Sequence, residues 1–204
     1  MTQPQRIICA MAAVIACVGF KGGVGKSTCA VHLAGRAAAL NESVVVADVD
    51  PQHHAASWLE SAAPEIHCER MADTEEFLKM IQPLKDRADA GTRDGANNGL
   101  VICDLAGGDV AGMRLAMLKA NTIVMPVGSS LLDLDSLHTT CETLQTARDI
   151  LGTRSPQAVI LPSRMAPTKV STEVLRACED IAAEMNAILI TPGIAQRAAI
   201  ADAA

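Results

Sequence analysis

Aromatic residues are nearly absent from this chain of 204 residues, which has two phenylalanines, one tryptophan and no tyrosine. Half of the residues are nevertheless hydrophobic, so a core has to be built from alanine, valine, leucine, isoleucine and methionine. A chain of this length can bury a substantial core within one domain. The scarcity of aromatic rings therefore restricts what the core is made of, but it does not exclude a globular protein.

Long apolar runs are also missing. No run reaches the roughly 18 residues that a membrane-spanning helix needs. Residues 7–18 are apolar, but a lysine and a glycine-rich stretch follow closely, which is not the pattern of a signal peptide. We therefore expect a cytoplasmic protein that does not enter a membrane.

The sequence also lacks closely spaced cysteine pairs and a positive net charge. The seven cysteines are scattered without a C-x-x-C pair, which argues against a zinc site or an iron–sulfur cluster and favours reduced core residues. Seventeen basic against 23 acidic residues give a net charge of −6. The whole chain is therefore not a polybasic nucleic-acid binder, although a local basic patch stays open.

The most distinctive stretch is 20–28, FKGGVGKST, in which three glycines within four positions lead to Lys26 and Ser27. An apolar run precedes it and a helix-like stretch follows. Glycines let backbone N–H groups converge on one point, and a helix start adds unpaired N–H groups and the positive end of its dipole. The order of strand, glycine loop and helix predicts a phosphate cradle, in which Lys26 reaches the β- and γ-phosphates and Ser27 ligates Mg²⁺.

Apolar and amphipathic stretches alternate along the rest of the chain. Uniformly apolar strands between helices are typical of a parallel sheet that is buried on both faces. We predict an α/β fold: a single domain with a mostly parallel twisted sheet and helices on both faces. The expected strands are 13–19, 43–48, 66–71, 100–105, 122–127, 158–161 and 187–190, and the expected helices are 26–40, 54–61, 74–90, 113–120, 134–151 and 171–185, with a surface loop at 91–99 and a short alanine-rich helix at the end.

Acidic residues follow two of the predicted strands. Asp48 and Asp50 come after the second strand, and Asp104 closes the fourth. Ligands of a parallel sheet bind at the carboxyl ends of its strands, so these carboxylates should meet the glycine loop there. Two carboxylates two positions apart on an extended segment point the same way, so Asp48 and Asp50 should both point toward the Mg²⁺ and the γ-phosphate, and Asp104 should join Ser27 around Mg²⁺. A strand-end cap for Asp104 and a local turn for residues 48–52 stay open as alternatives.

The glycine loop departs from the ordinary P-loop pattern, because Phe20 stands where the first glycine is expected and Lys21 precedes the glycines. The pattern KGGxGK[ST] resembles the deviant Walker A box of the ParA/MinD family of P-loop ATPases. The resemblance implies that Lys21 reaches across a dimer interface to the partner's nucleotide. It also implies that Asp50 orients or deprotonates the attacking water and that Asp48 supports the metal shell. The expected catalytic residues are therefore Lys21, Lys26 and Asp50, and the expected metal residues are Ser27, Asp48 and Asp104.

Other stretches resemble the small plasmid-type, ParF-like ParA proteins: DPQHHAASW at 50–58, MPV followed by LDLD at 125–135, and Gln196-Arg197. Two departures stand out: Ser163 where that group usually has asparagine, and Gly107-Gly108 where it usually has proline. The resemblance implies ATP and Mg²⁺ as cofactors, with a segment including Arg164 and another including Pro192 lining the adenine pocket. The expected nucleotide-binding residues are Gly22, Gly23, Val24, Gly25, Lys26, Ser27, Thr28, Gln52, Arg164 and Pro192.

The function that the resemblance implies is DNA partition by an ATP-dependent homodimer that binds non-specific DNA or polymerises. A centromere-binding, ParB/ParG-like adaptor would stimulate slow hydrolysis and reset the dimer. Residues 13–204 would form the ATPase domain, preceded by an extension at 1–12. Arg164, Lys169 and Arg176 are candidate DNA contacts, with ordinary solvated charges as the alternative.

Two other functions stay open. A MinD-like positioning ATPase for another cargo would need a basic, bulky amphipathic helix if it acted at a membrane, and the final residues AQRAAIADAA are too rich in alanine for that. A metabolic P-loop enzyme would need a substrate pocket of its own, and no insertion long enough to build one is evident.

Overall fold

Strands and helices alternate along the chain, as the apolar periodicity predicts. The computed structural model describes residues 12–90 and 99–195. The strands in these ranges are β1 (Ala13–Cys17), β2 (Val44–Asp48), β3 (His67–Arg70), β4 (Leu100–Asp104), β5 (Thr122–Val127), β6 (Gln157–Pro162) and β7 (Ile188–Leu189). The helices are α1 (Lys26–Ala39), α2 (His54–Ala62), α3 (Thr74–Ala90), α4 (Val110–Lys119), α5 (Leu131–Leu151) and α6 (Lys169–Glu184), with a 3₁₀ turn at Gly152–Arg154.

The seven described strands form one sheet in the order β3-β2-β4-β1-β5-β6-β7, and every neighbouring pair is parallel. Strand β4 lies between β1 and β2, with Asp104 opposite Cys17 on one side and opposite Asp48 on the other. The carboxyl ends of these three strands are therefore level, and the loops that follow them meet at one edge. The predicted α/β fold with a parallel sheet is confirmed.

Alternate residues of each strand contribute to two separate hydrophobic cores, one on each face of the sheet. One face carries Val14, Ala16 and their equivalents under α3, α4, α5 and α6. The other carries Cys17, Val46 and Ile102 under α1 and α2. Phe77 of α3 is fully buried, and the rest of both cores is almost entirely aliphatic, methionine or cysteine. Side-chain alternation along each strand accounts for this division, because successive residues point to opposite faces.

Three helices begin earlier than predicted, each because a polar side chain caps its first turn. Asp109 accepts from the Gly112 amide and starts α4 at Val110. Ser130 forms a capping box with Asp133 and starts α5 at Leu131. Thr168 accepts from the Ser171 amide and starts α6 at Lys169. A side-chain oxygen that accepts from an unpaired amide of the first turn stabilises a helix start.

Some expectations lie outside the described residues. These are the N-terminal extension up to residue 11, the surface loop apart from Gly99, and the alanine-rich helix at the end of the chain. In the part of the chain that the structure does describe, no helix combines the length and the apolar character that crossing a membrane requires.

Candidate active site

A cavity of about 850 Å³ opens where the strands end. Its walls come from the loop between β1 and α1, the segment after β2, the segment after β4, and two C-terminal segments. The lining residues are Gly22, Gly23, Gly25, Lys26, Ser27, Thr28, Asp50, Pro51, Gln52, His54, Trp58, Ala106, Gly107, Ser163, Arg164, Ile194 and Ala195. Of the residues expected to bind nucleotide, Val24 and Pro192 are not in this lining: Val24 is buried beneath the loop, and Pro192 follows a cis peptide bond.

The glycine loop has a conformation that other residues adopt with difficulty. Gly23 has a φ of 73° and Gly25 a φ of 106°, and Gly25 immediately precedes the first turn of α1. A Cβ atom on Gly25 would lie 2.8 Å from Oγ of Ser163, so the loop also packs closely against the end of β6. These glycines leave the amides of the loop and of the first turn of α1 free to surround an anion.

Lys26 is buried at the base of the cavity, where its Nζ donates to the Lys21 carbonyl oxygen over 3.1 Å. Burial lowers the pKa of Lys26, and the negative charges of Asp104 and Asp50 oppose that change. A buried ammonium group that has given up most of its hydration binds a phosphate oxygen at little further desolvation cost.

Asp104 has no exposed surface, and neither of its carboxylate oxygens has a hydrogen-bond partner among the described residues. Burial raises its pKa to about 7; the nearby Ser27 hydroxyl and the charge of Lys26 act in the opposite direction. A buried polar group without a partner is costly, so its persistence calls for a ligand. No described group of three or more His, Cys, Asp or Glu side chains is arranged to hold a metal. The unpaired oxygens beside Ser27 suit Mg²⁺, which keeps several of its waters.

Asp48 and Asp50 occupy different positions. Asp48 is fully buried, and its two oxygens accept from the backbone amides of Asp50 (3.2 Å) and Ala56 (2.8 Å). Burial raises the pKa of Asp48, and these two hydrogen bonds oppose the rise. Asp50 lines the cavity, where its Oδ1 accepts from the Gln52 amide over 3.0 Å. Asp48 therefore holds the loop and the start of α2 in place, while Asp50 faces the cavity.

Lys21 contacts α5 within the same chain. Its Nζ lies 2.6 Å from Oδ1 of the buried Asp133, and its backbone amide donates to Oγ of Ser136 over 3.1 Å. Burial acts to raise the pKa of Asp133, but hydrogen bonds from Lys21 and Ser130 outweigh it and leave the pKa lowered. The sequence reasoning did not identify Asp133 as a partner of Lys21; its only local signal was the S-x-x-D spacing of a helix cap.

Arg164 and Ser163 lie on the other side of the loop. Ser163 is buried against Gly25, and Arg164 lines the cavity with a φ of 54°. Arg164 thus faces the candidate nucleotide site, whereas the other candidate DNA contacts, Lys169 and Arg176, lie on α6.

The stretch DPQHHAASW contributes two further residues to the cavity lining, Trp58 and His54, for which the sequence indicates no role. Trp58, the single tryptophan of the chain, meets the His32 ring edge to face at a centroid distance of 5.5 Å. His53, at the start of α2, has a buried Nδ1 that lies 3.8 Å from Oδ1 of Asp48. Gly107, named only as a departure from the family pattern, packs so closely on the loop that a Cβ atom would lie 3.2 Å from the Gly22 nitrogen.

Residues 15–204 match the model of the CobQ/CobB/MinD/ParA nucleotide binding domain. The chain belongs to this family. It is also 30% identical over 146 residues to the maintenance of carboxysome distribution protein A of Gloeobacter kilaueensis, a match that covers 69% of this chain. The match spans 62% of that relative's length.

Many solved structures resemble this fold, including a McdA structure and a ParA structure. The ATP complex of Cyanothece McdA(D38A) superposes with a TM-score of 0.68 at 15% identity, and covers 94% of this chain and 86% of that one. The pNOB8 ParA bound to nonspecific DNA superposes with a TM-score of 0.58 at 14% identity, and covers 90% of this chain and 80% of that one. At such identities the likeness establishes the fold alone. The expected ParA/MinD family is therefore confirmed, while the narrower assignment to plasmid-type, ParF-like proteins is not.

Proposed function

We propose that this chain is an ATPase switch of the ParA/MinD type, which binds ATP with Mg²⁺, forms a homodimer in the ATP state and is reset by hydrolysis. The observation that carries the proposal is the meeting of three features at one edge of the sheet. These are the glycine loop with the buried Lys26, the unpaired carboxylate of Asp104, and the additional lysine, Lys21. The first two suit a nucleotide and its metal, and the third suits a second subunit.

Each residue in this proposal has a role that follows from its surroundings. Ser27 and Asp104 would hold Mg²⁺, which supplies charge neutralisation for the phosphate chain. The amides of the glycine loop bind the phosphates, and Lys26 compensates their charge. Asp50 orients the attacking water and accepts its proton, because it faces the cavity while Asp48 is used in backbone hydrogen bonds. Positioning and charge suffice for phosphoryl transfer, and so few catalytic groups suit slow turnover.

Lys21 links hydrolysis to dimerisation. In the single chain its ammonium group is paired with Asp133, which is well placed to hold it while no second subunit is present. To reach a partner's nucleotide, Lys21 has to leave Asp133, so dimer formation must compensate for that lost ion pair. Hydrolysis by an isolated subunit would then lack one of its three catalytic residues.

The cargo is the finer part of the proposal. We propose that the ATP-state dimer binds non-specific DNA and that an adaptor protein of the ParB/ParG kind couples it to a DNA cargo. A protein assembly is the second candidate cargo, and the similarity to a curated protein named for carboxysome distribution favours it. The family name also covers CobQ and CobB, so a metabolic enzyme is the third reading.

The deciding experiment is light scattering after size exclusion with ATP and with ADP. We expect ATP to convert the wild-type monomer to dimers or larger species. Asp50→Ala should trap these species, and Lys21→Ala should abolish them. Lys79→Ala is the matched control, because the exposed Lys79 pairs with the exposed Glu75 on α3 and lies outside the cavity lining. A protein that binds ATP yet stays monomeric in every case would contradict the switch and favour the metabolic enzyme.

A second experiment addresses the cargo. The wild type and Asp50→Ala would be titrated onto random-sequence duplex DNA with ATP and with ADP. Binding that requires ATP and persists in Asp50→Ala supports the DNA role. Dimerisation without DNA binding would instead favour a positioning ATPase that moves on another surface.

A further inference from the structure

We infer that Arg164 binds the phosphate chain of the nucleotide and not its base. The inference rests on the proposed function, and it changes the role that the family resemblance implied for this residue, which was a place in the adenine pocket. The position of the guanidinium group, its surroundings and its hydrogen-bond donors all support this role.

The guanidinium group lies between two glycines. One terminal nitrogen, Nη1, is 3.9 Å from the position that a Cβ atom would take on Gly23, and the other, Nη2, is 3.2 Å from the corresponding position on Gly128. Gly23 is a central residue of the loop that is expected to cradle the phosphates, and Arg164 and Gly23 line the same cavity. The cationic end of the side chain is therefore next to the loop, while Ser163, Ile194 and Ala195 provide the rest of that wall.

Within the described residues the side chain has no partner at ion-pair distance. The carboxylate of Asp133, which is paired with Lys21, also lies beside Gly128, with its Oδ2 close to the same Cβ position. Among residues 12–90 and 99–195, Arg164 forms no ion pair and no hydrogen bond, whereas Arg70, Arg87 and Arg148 each donate to a carboxylate or a carbonyl. Its backbone is in the left-handed region, with a φ of 54°, which is uncommon for a residue with a long side chain.

Arg164 is exposed, so water can solvate it, as it does other exposed arginines such as Arg36 and Arg114. What favours an anionic ligand here is the position of the guanidinium group beside the phosphate loop together with the uncommon backbone conformation.

The charge of the cavity points the same way. Lys26 and Arg164 are the only lysine or arginine in the cavity lining that the structure describes, and Asp50 is the only carboxylate there. A triphosphate carries several negative charges, so Lys26 alone leaves most of them without a protein cation. A guanidinium group has only donors, arranged as a fork that matches two phosphate oxygens. The amino group of adenine is itself a donor, so the base offers the fork only single ring nitrogens or a stacking face, whereas the phosphates offer pairs of charged oxygens.

The test compares ligands that share phosphates with ligands that differ in the base. Dissociation constants for ATP, for inosine triphosphate and for inorganic tripolyphosphate would be measured by calorimetry on wild type, Arg164→Gln and Arg164→Lys. We expect Arg164→Gln to weaken all three ligands by a similar factor of about tenfold or more, the size of a lost charge-assisted hydrogen bond. Arg164→Lys should restore part of the affinity, because it keeps the charge but not the fork.

Arg154→Gln is the matched control, because Arg154 is exposed in the 3₁₀ turn Gly152–Arg154 and lies outside the cavity lining. Thermal unfolding of each variant would verify its fold; if Arg164→Gln does not fold, the comparison of Arg164→Lys with wild type decides, with a smaller common loss expected. Unchanged tripolyphosphate binding together with an altered ratio of ATP to inosine triphosphate affinity would show a base contact and overturn the inference. Unchanged affinity for all three ligands would overturn it too. A wild type that binds no nucleotide at all would instead contradict the proposed function.

Discussion

Polar groups at the amino ends of the central strands differ from those at the carboxyl ends in whether their hydrogen bonds are satisfied. At the amino ends, polar side chains close the backbone hydrogen bonds. Oδ1 of Asn121 accepts from the Val14 amide over 2.8 Å. The two oxygens of Asp89 accept from the amides of Ala12 (3.1 Å) and Gly99 (2.9 Å). Each of these contacts satisfies a donor that would otherwise be left without a partner.

At the carboxyl ends several groups around the cavity are left unsatisfied or strained, although Asp48 is hydrogen-bonded through both oxygens. Asp104 is buried without a hydrogen bond to any described residue, burial lowers the pKa of Lys26, and Gly25 and Arg164 have positive φ angles. The comparison teaches that stability and binding are divided between the two ends of the same strands. The hydrogen bonds at the amino ends stabilise the fold. The unsatisfied and strained groups at the carboxyl ends lower its stability, but they are free to bind a ligand.

The largest effect is expected from removing the unpaired charge by Asp104→Asn. The raised pKa of Asp104 means that the folded state holds its proton more tightly than the unfolded state does. The protonated Asp104 therefore makes a favourable contribution to the unfolding free energy below pH 4, and this contribution is lost as the pH rises to about 7. Relative to Asp104→Asn, the nucleotide-free wild type should lose on the order of 4 kcal/mol of unfolding free energy between pH 4 and pH 8.

Urea unfolding of both proteins in a chelating buffer across that pH range measures the difference. Asp48→Asn is the contrasting variant, because both oxygens of Asp48 are hydrogen-bonded and its replacement should destabilise the protein. Parallel stability curves for wild type and Asp104→Asn would contradict the idea that the carboxyl ends carry an uncompensated charge.

The next effect concerns the loop backbone. Gly25→Ala places a side chain at a φ of 106° and against Oγ of Ser163, so the loop must shift. We expect a stability cost of about 1–2 kcal/mol and a nucleotide affinity at least tenfold weaker. Calorimetric titration with ATP and thermal unfolding measure the two effects.

Gly35→Ala is the control on the same helix, because Gly35 lies inside α1 and its Cβ would meet nothing within 4 Å. That variant should gain about 0.5–1 kcal/mol and keep its ATP affinity. Equal losses of affinity in both variants would mean that the loop conformation is not what matters.

A smaller effect is expected at the amino ends. Asn121→Ala removes the acceptor of the Val14 amide, so the unfolding free energy should fall by about 1 kcal/mol. ATP affinity should stay at the wild-type value, because the change is at the opposite end of the strands from the cavity. If Asn121→Ala weakened ATP binding as much as it weakened the fold, the division between the two ends would fail.

The smallest effect is expected on the surface. Lys79→Ala breaks an ion pair with Glu75, whose side chain, like that of Lys79, is mostly exposed. Solvent screening makes such pairs weak, so we expect no measurable change in unfolding or in ATP affinity. A clear loss of stability or of ATP affinity would show that charges far from both strand ends also determine these two properties.

Much of the binding end follows from sequence alone. The glycines and the carboxylates lie next to apolar strands, and parallel strands place their carboxyl ends together, so local pattern is enough to predict that Lys26, Ser27 and Asp104 meet. The amino ends do not follow in this way. Asn121 and Asp89 act on amides far away in the chain, and no local signal distinguishes them from ordinary polar residues.

The same limit applies to the residues around the loop. Lys21 and Asp133 are 112 positions apart, and only the packing of α5 against the loop brings them together. The backbone angle of Arg164 and the placement of Gly128 beside it also depend on how β5 and β6 end side by side. Such contacts are set by tertiary structure, which is why the resemblance assigned Arg164 to the base and the geometry favours the phosphates.

The scarcity of aromatic residues has an optical consequence. Trp58 is the only indole in the chain, no tyrosine accompanies it, and its ring lines the cavity beside His32. Fluorescence excited at the red edge of protein absorption therefore comes from this one wall of the candidate active site. The unlabelled protein carries its own reporter, so the filling of the cavity can be followed in real time through a single emitting residue.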